Sequence, residues 1–273
     1  MSVTIRMTDA TSYPLISILM GAYNCVDTLE DAVASIQNQT YTNWEFIICD
    51  DCSTDNTWDV LKKLAAKESR IHLLRNEQNM RLAYSLNHCL KYAHGKYIAR
   101  MDADDESLPT RFEKQVQFLE EHPEIDLVGT GRIIFDENGN ETVQRGNGMA
   151  RRSQLIYGSP FAHPTIMMKA EVLKALNGYR VSKATMRAED AELWFRFFEQ
   201  GYSGYNLEEP LYRYRETLND YKKRTFKAGI GTVHVMLNGY KRLGFPWYVY
   251  PLALKPLISS LVPDKMMKKY HQS

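Results

Sequence analysis

The sequence predicts an α/β fold, a mostly parallel sheet flanked by helices, and three observations carry that expectation. Short apolar runs of strand length alternate with segments whose apolar residues recur at helical spacing. The first of those runs, Leu15 to Met20, is mostly apolar rather than alternating, as strands covered on both faces are. Polar, ligand-suited residues collect at three of the first four strand ends, where open parallel sheets bind their ligands.

The chain has 273 residues, enough for one large domain or two modest ones. Apolar residues at 44% and charged residues at 25% describe an ordinary globular protein. A formal net charge of +1 gives no reason to expect nucleic acid as a partner. There is no basic-then-apolar leader and no run of 18 apolar residues, so a cytoplasmic protein without a spanning helix is expected. The four cysteines, at 25, 49, 52 and 89, are then expected to be reduced. Cys49 and Cys52 form a C-x-x-C, but Asp50 and Asp51 between them oppose thiolate chemistry. No second close pair completes a zinc site.

In chain order, residues 1–13 are polar and expected to be flexible. Leu15-Ile16-Ser17-Ile18-Leu19-Met20 reads as a buried strand that ends in a Gly21-Ala22-Tyr23-Asn24 loop. Leu29, Ala32, Val33 and Ile36 lie on one face of a helix, with Asp27 placed to cap it and Glu30 as capping-box partner. Trp44-Glu45-Phe46-Ile47-Ile48-Cys49 is a second strand ending in Asp50-Asp51. A helix bearing Trp58, Leu61, Leu64 and Ala65 follows, then a strand at Ile71-His72-Leu73-Leu74. A loop through Asn76 and Asn79 leads to a helix with Leu82, Leu86, Leu90 and Ala93. The fourth strand, Lys96 to Ala99, delivers the run Arg100-Met101-Asp102-Ala103-Asp104-Asp105.

Beyond this run, Glu106-Ser107-Leu108-Pro109 reads as a turn that opens a helix over Arg111–Glu121. Residues 125–130 and 132–135 are strand-like, and Asn138-Gly139 marks a hairpin turn. Residues 141–153 read as a mobile polar loop, and Phe161 to Met168 as a buried strand. Ala188-Glu189-Asp190 opens a helix with Leu193, Trp194 and Phe197 inward.

Two acidic clusters carry chemistry. Three carboxylates in four residues at a strand end repel one another, and an oxygen-only set of this density suits Mg²⁺ or Mn²⁺. A helix-flanked calcium loop is excluded because Ser107 stands where its glycine is required. A solvated acidic turn is the plainer alternative. No glycine-rich phosphate loop is present, so a bound nucleotide's diphosphate would need a metal for neutralisation. Glu189 and Asp190 fit dipole-matched surface acids, but the apolar helix they open also suits a fixed general base.

Taken together these segments resemble the inverting glycosyltransferases of family two, whose A-type nucleotide-diphospho-sugar transferase fold is Rossmann-like. The resemblance rests on Ser17 to Asn24, Ser35-Ile36-Gln37-Asn38-Gln39-Thr40-Tyr41, Asp50-Asp51-Cys52-Ser53-Thr54-Asp55, Met101 to Asp105, and Ala188-Glu189-Asp190-Ala191-Glu192-Leu193-Trp194. It covers about residues 14–215 and is closest to bacterial enzymes that build capsule, exopolysaccharide or lipopolysaccharide. It implies a domain over 14–218 and a C-terminal helical extension over 219–273. It also implies a UDP-hexose or UDP-N-acetylhexosamine donor, a polyprenyl-diphosphate-linked saccharide acceptor, and Mn²⁺ or Mg²⁺.

By the same resemblance Asp51 would bond the base, Tyr23 would stack near it, and Arg81 would contact base or diphosphate. Asp102 would meet ribose or metal, Asp104 would ligate the metal, and Asp190 would deprotonate the acceptor. Glu189, His163 and Arg215 would lie on the acceptor or diphosphate side, with a satisfied core histidine the alternative for His163 and a surface arginine the alternative for Arg81. Thr217 departs from the family's histidine, which puts a closing lid in doubt. The Q-x-x-R-W motif of processive synthases is absent, so one sugar per encounter is expected. The rivals are a sugar nucleotidyltransferase, whose N-terminal phosphate loop is missing here, and a scaffold that has lost catalysis.

Residues 245–262 hold Lys255 and three prolines, which make a poor spanning helix. Trp247, Tyr248 and Tyr250 favour a membrane interface, and Lys265, Lys268 and Lys269 could meet anionic lipid. Peripheral contact with the inner face of the cell membrane is therefore expected. Packing on the chain's own domain or on a second subunit, as a homodimer, is the alternative.

Overall fold

The computed structural model describes residues 13–217 and 225–262. Residues 1–12 and the lysines at 265, 268 and 269, which carry two of the expectations above, lie outside these ranges.

The first half is the expected alternation. It runs β1 (Ile16–Ala22), α1 (Leu29–Gln37), β2 (Trp44–Asp50), α2 (Thr57–Ala65), β3 (Ile71–Arg75), α3 (Leu82–Leu90) and β4 (Tyr97–Arg100). The four strands pair in parallel in the order β3-β2-β1-β4. Their apolar runs supply both faces of the sheet, because successive side chains point to opposite sides. Ile18, Met20, Phe46 and Ile48 join one hydrophobic cluster with α1; Leu19, Ile47 and Cys49 join another with α3.

The second half adds mixed pairing. The sheet continues β4-β9-β6-β10-β5, where β5 is Glu106–Ser107, with β9 (Met167–Lys169) antiparallel to both β4 and β6 (Leu127–Phe135). β10 (Gly204–Arg215) runs parallel to β6. Helices α4 (Arg111–Glu121), α5 (Ala170–Ala175) and α6 (Glu189–Glu199) cover the faces. α7 (Phe226–Arg242) packs on α6, with the rings of Phe195 and Tyr240 5.9 Å apart. The chain then makes a 3₁₀ helix over Trp247–Leu254, whose Val249 and Ala253 are buried, and a short α8 (Lys255–Ser260).

Four local expectations are corrected. Thr28, not Asp27, stands at the N-cap of α1, with no side-chain cap bond; its hydroxyl instead donates to Ala103 O at 2.8 Å. Glu106 and Ser107 form a short β5 paired with β10, a partner more than a hundred residues away that local patterning cannot reveal. Residues 141–153 are not a loose loop: β7 (Glu141–Gln144) completes the Asn138-Gly139 hairpin with β6, and β8 (Gly148–Met149) pairs with β10. Within Phe161 to Met168 the Pro164 segment is a 3₁₀ turn (His163–Thr165), and only Met167 onward is strand. Proline has no N–H to give a ladder and fixes its φ, which favours the turn.

Candidate active site

The aspartate loop begins where β4 leaves the sheet. Arg100, its last residue, is buried and ion-paired with Asp102. A second buried arginine, Arg111, donates to the carbonyls of Arg100, Pro164 and Ile166 at 3.0–3.2 Å, locking the strand end to the 3₁₀ turn. Burial and the Arg100 charge push the Arg111 pKa down to about 10.

β10 holds the loop from the other side. The Asp102 N–H donates to Tyr212 Oη at 3.2 Å, the Arg215 N–H to Asp105 Oδ1 at 2.8 Å, and Arg215 Nε to Asp104 O at 2.9 Å. One carboxylate oxygen from each of Asp102, Asp104 and Asp105 can lie within 4.8 Å of the others. Burial, then the charges of Asp102 and Asp104, hold the Asp105 carboxyl well above the usual range; Arg215 N–H and Tyr212 oppose this only in part. Asp105 Oδ2 is buried without a hydrogen bond of good geometry. An all-oxygen set with an orphaned buried oxygen fits a hard divalent cation.

The second acidic pair opens α6. Asp190 Oδ1 accepts from its neighbour's Ala191 N–H at 2.7 Å, which fixes the carboxylate at the helix start. Burial raises the Asp190 pKa, and the Ala191 N–H and Arg100 charge offset part of the rise. Glu189 is pushed up to about 7 by burial and then by Asp190. The helix itself is clamped: buried Glu192 pairs with Arg196 at 2.8 Å, and Arg196 donates on to the carbonyls of Leu176 and Gly178. His163 packs between Tyr179 and Trp194, with Nε2 2.8 Å from the Tyr179 hydroxyl. Burial and Arg100 hold its pKa well below the ordinary value, so it is neutral at physiological pH.

At the ends of β1 and β2, Asp51 is buried and already engaged. Oδ1 accepts from Asn76 Nδ2 at 2.7 Å and from Met80 N–H at 2.8 Å, while Oδ2 accepts from Arg81 N–H at 2.7 Å. A carboxylate offers about four acceptor positions, so Asp51 pins the 76–81 loop and keeps room for one further donor. Tyr23 is half exposed beside it, and Asn24 ties the two loops together through Ser53 and Thr54. Asn24, Cys52, Arg81 and Arg187 all have positive φ, between 47° and 73°. Left-handed backbone outside glycine costs on the order of 1 kcal/mol per residue and concentrates at functional sites.

A cleft of about 750 Å³ brings Asp102, Asp104, His163, Glu189 and Asp190 together. Arg81 lines an adjoining recess of about 450 Å³ that shares Leu82, Arg187 and Glu189 with the cleft. Tyr23, Asp51 and Arg215 stand outside the cleft lining. Sequence reasoning missed Arg100, although a lone arginine closing an apolar strand beside aspartates was a usable signal. It counted Asp105 among the three carboxylates but gave it no role of its own, and it missed Arg132 and Arg145 in the cleft lining, for which the sequence offers no signal.

Comparison with known proteins shows the family of the chain. Residues 17–176 match the model of glycosyl transferase family 2. The Bacillus subtilis glycosyltransferase EpsE is 46% identical over 262 residues, 96% of this chain and 94% of that one. The Escherichia coli UDP-Glc:alpha-D-GlcNAc-diphosphoundecaprenol beta-1,3-glucosyltransferase WfaP is 32% identical over 73% of this chain and 77% of its own. Among solved structures, Staphylococcus aureus TarS 1–349 in complex with UDP superposes with a TM-score of 0.62 at 18% identity, covering 90% of this chain and 80% of that one. The Pyrobaculum calidifontis mannosyltransferase PcManGT, in complex with GDP-Man and Mn²⁺, gives 0.61 at 17% identity over 96% and 80%. At such identities the structural likeness shows the fold.

Proposed function

The chain belongs to glycosyl transferase family 2 and is a glycosyltransferase; from that premise we propose an inverting, non-processive enzyme of surface-polysaccharide assembly. Its donor is a nucleotide-diphospho-sugar, UDP-hexose or UDP-N-acetylhexosamine. Its acceptor is a hydroxyl of a saccharide carried on a polyprenyl diphosphate, a reading that the name of the WfaP relative supports. The catalytic unit is residues 14–218, with 219–273 as an extension. The observation that carries this reading is a single cleft lined by both Asp102–Asp104 and Glu189–Asp190.

The chemistry assigns each wall a task. Ionised Asp190 takes the proton of the acceptor hydroxyl as its oxygen bonds to the anomeric carbon. The bond from that carbon to the diphosphate oxygen breaks on the opposite face, which inverts the centre without a covalent enzyme intermediate. Asp102 and Asp104, with Asp105 behind them, would hold Mn²⁺ or Mg²⁺, whose charge would stabilise the leaving diphosphate. Arg100 keeps Asp102 in place and limits the rise in the Asp190 pKa. Tyr23, Arg81 and the remaining acceptor position of Asp51 bind the base. His163, being neutral, orients the acceptor rather than exchanging charge.

The C-terminal surface serves the lipid-linked acceptor by resting on the inner face of the cell membrane. Trp247, Tyr248, Ile258 and Leu261 are each more than 60% exposed there, a concentration of apolar surface that suits a bilayer interface. No helix among the described residues is long and apolar enough to cross a membrane. Calorimetric titration of UDP, GDP and dTDP, with and without Mn²⁺, tests the donor reading. Mn²⁺-dependent binding of UDP is expected, and failure of all three to bind would leave the aspartate cluster without its role.

A further inference from the structure

The cleft is polarised. Asp102, Asp104, Glu189 and Asp190 line it together with Arg100 and Arg187, whereas β6, β10 and the loop after β7 present Arg132 and Arg145 with Asn147 and Asn206. In the sheet order this wall lies on the other side of β4 from β1 and β2, whose ends carry Tyr23 and Asp51. A donor held by its base at β1–β2 and by its diphosphate at the aspartates therefore does not need these arginines.

The wall is built rather than floppy. Gly146 lies so close to β10 that a Cβ there would come within 1.9 Å of Leu207 O, and its N–H donates to Glu208 O at 3.2 Å. Asn206 Nδ2 donates to Asn147 Oδ1 at 3.1 Å. Arg145 thus projects from a loop pinned on its C-terminal side. Its one ion pair among the described residues is a 3.5 Å contact with Glu208, both side chains mostly exposed, which contributes little. Arg132 is half-buried on β6 and forms no ion pair among the described residues. Its Nε donates to Gln144 Oε1 at 3.0 Å, and its guanidinium lies 5.0 Å from the Tyr214 ring centroid. Two guanidiniums in a saccharide-sized cleft call for an anion.

The same wall adjoins the apolar C-terminal surface. Lys255 Nζ donates to Tyr157 O, and Arg152 Nη1 to Leu243 O. Ser159 and Pro160, which follow closely in the chain, line the cleft. Asn206 Nδ2 donates to Pro160 O at 3.0 Å, which joins this stretch to the arginine wall.

We propose that Arg132 and Arg145 form an anion subsite for the phosphate-ester linkage of the acceptor, binding the diphosphate that joins its first sugar to lipid. This assignment rests on the transferase reading above. It makes the two arginines determinants of acceptor class, separate from the donor's diphosphate site.

The test is titration of three probes into the protein, each with and without saturating UDP and Mn²⁺. The probes are a short-chain alkyl N-acetylglucosaminyl diphosphate, the corresponding neutral alkyl glycoside, and an alkyl disaccharide ending in a uronate. The diphosphate probe should bind at least about tenfold tighter than the neutral one, as charge-assisted hydrogen bonds warrant. Arg132→Gln and Arg145→Gln should each remove most of that preference while UDP affinity stays within twofold (about the scatter of such titrations). Arg132→Lys, which keeps the charge and loses the fork, should retain part of it. Equal binding of neutral and diphosphate probes, preference for the uronate, or loss of UDP affinity in the arginine variants would each overturn the assignment. A wild-type protein that binds no UDP yet still prefers the diphosphate through these arginines keeps the subsite and loses only the donor reading.

Discussion

Asp190 and Glu189 are adjacent carboxylates that burial pushes the same way, and their titration is a measurable property of the site. Because the base must be ionised, kcat/KM should rise with pH through a limb above the ordinary aspartate value of about 3.9. A limb at that ordinary value would contradict the base assignment. Asp190→Asn should cut kcat by about 10²–10⁴-fold with UDP affinity nearly intact, as its proposed place on the acceptor side requires. Loss of UDP binding would place it on the donor instead. Linkage fixes a further sign. The Glu189 pKa is raised in the fold, so the folded state binds its proton more tightly than the unfolded state, and stability from this group falls as pH rises from 4.5 to about 7. Glu189→Gln removes that loss and should raise Tm relative to wild type at pH 8 more than at pH 5; an equal shift at both would refute it. The aspartates and Glu189-Asp190 were legible from local sequence because charge beside an apolar element is unusual. The binding of Asp51 to Met80 and Arg81 N–H groups was not, since it depends on where a loop thirty residues away comes to rest.

At the scale of elements, α6 carries the proposed base, Asp190, and α7 packs on α6, so packing errors at the α6–α7 contact should reach the candidate site. Gly239 on α7 makes that contact possible: a Cβ there would fall 2.3 Å from the Phe195 ring, which is itself buried. Gly239→Ala gains about 1 kcal/mol of helix propensity and incurs about 1–3 kcal/mol or more of overpacking. Net destabilisation is expected in chemical denaturation, together with reduced kcat, and a stabilised variant would show that the helices can slide apart at no cost. The elements that were read correctly, β1 to β4 and α1 to α4, share a cause. Strands covered on both faces are short, mostly apolar runs, and each helix spaces its apolar residues every three or four positions. The elements that were misread share another. β5, β7 and β8 are two to four residues long, largely polar, and exist because β6 and β10 offer them an edge. Strand formation there is a property of the partner, which no window of local sequence contains.

For the whole molecule, the exposed apolar side chains beyond α7 are the surface on which the proposed membrane contact rests. Trp247 is 83% exposed and Leu261 75%, and with Tyr248, Ile258 and Leu254 they occupy one short stretch of chain beyond α7. Val249 and Ala253, on the same 3₁₀ helix, are buried in the core that α6 and α7 share, so the exposed set is held outward by a rigid support. Lys255 stands among them, and the sequence adds lysines at 265, 268 and 269, each worth about 1 kcal/mol beside an anionic leaflet. The protein should therefore float with phosphatidylcholine vesicles containing phosphatidylglycerol, less with pure phosphatidylcholine, and less again at high salt, where surface attraction is screened. A Trp247→Ser, Ile258→Ser double variant should lose flotation with Tm unchanged, because both side chains already face solvent. If that variant floats as well as wild type, the apolar surface does not meet lipid. A wild-type protein that instead sediments as a dimer, and a variant that sediments as a monomer, would assign the same surface to a second copy of the chain.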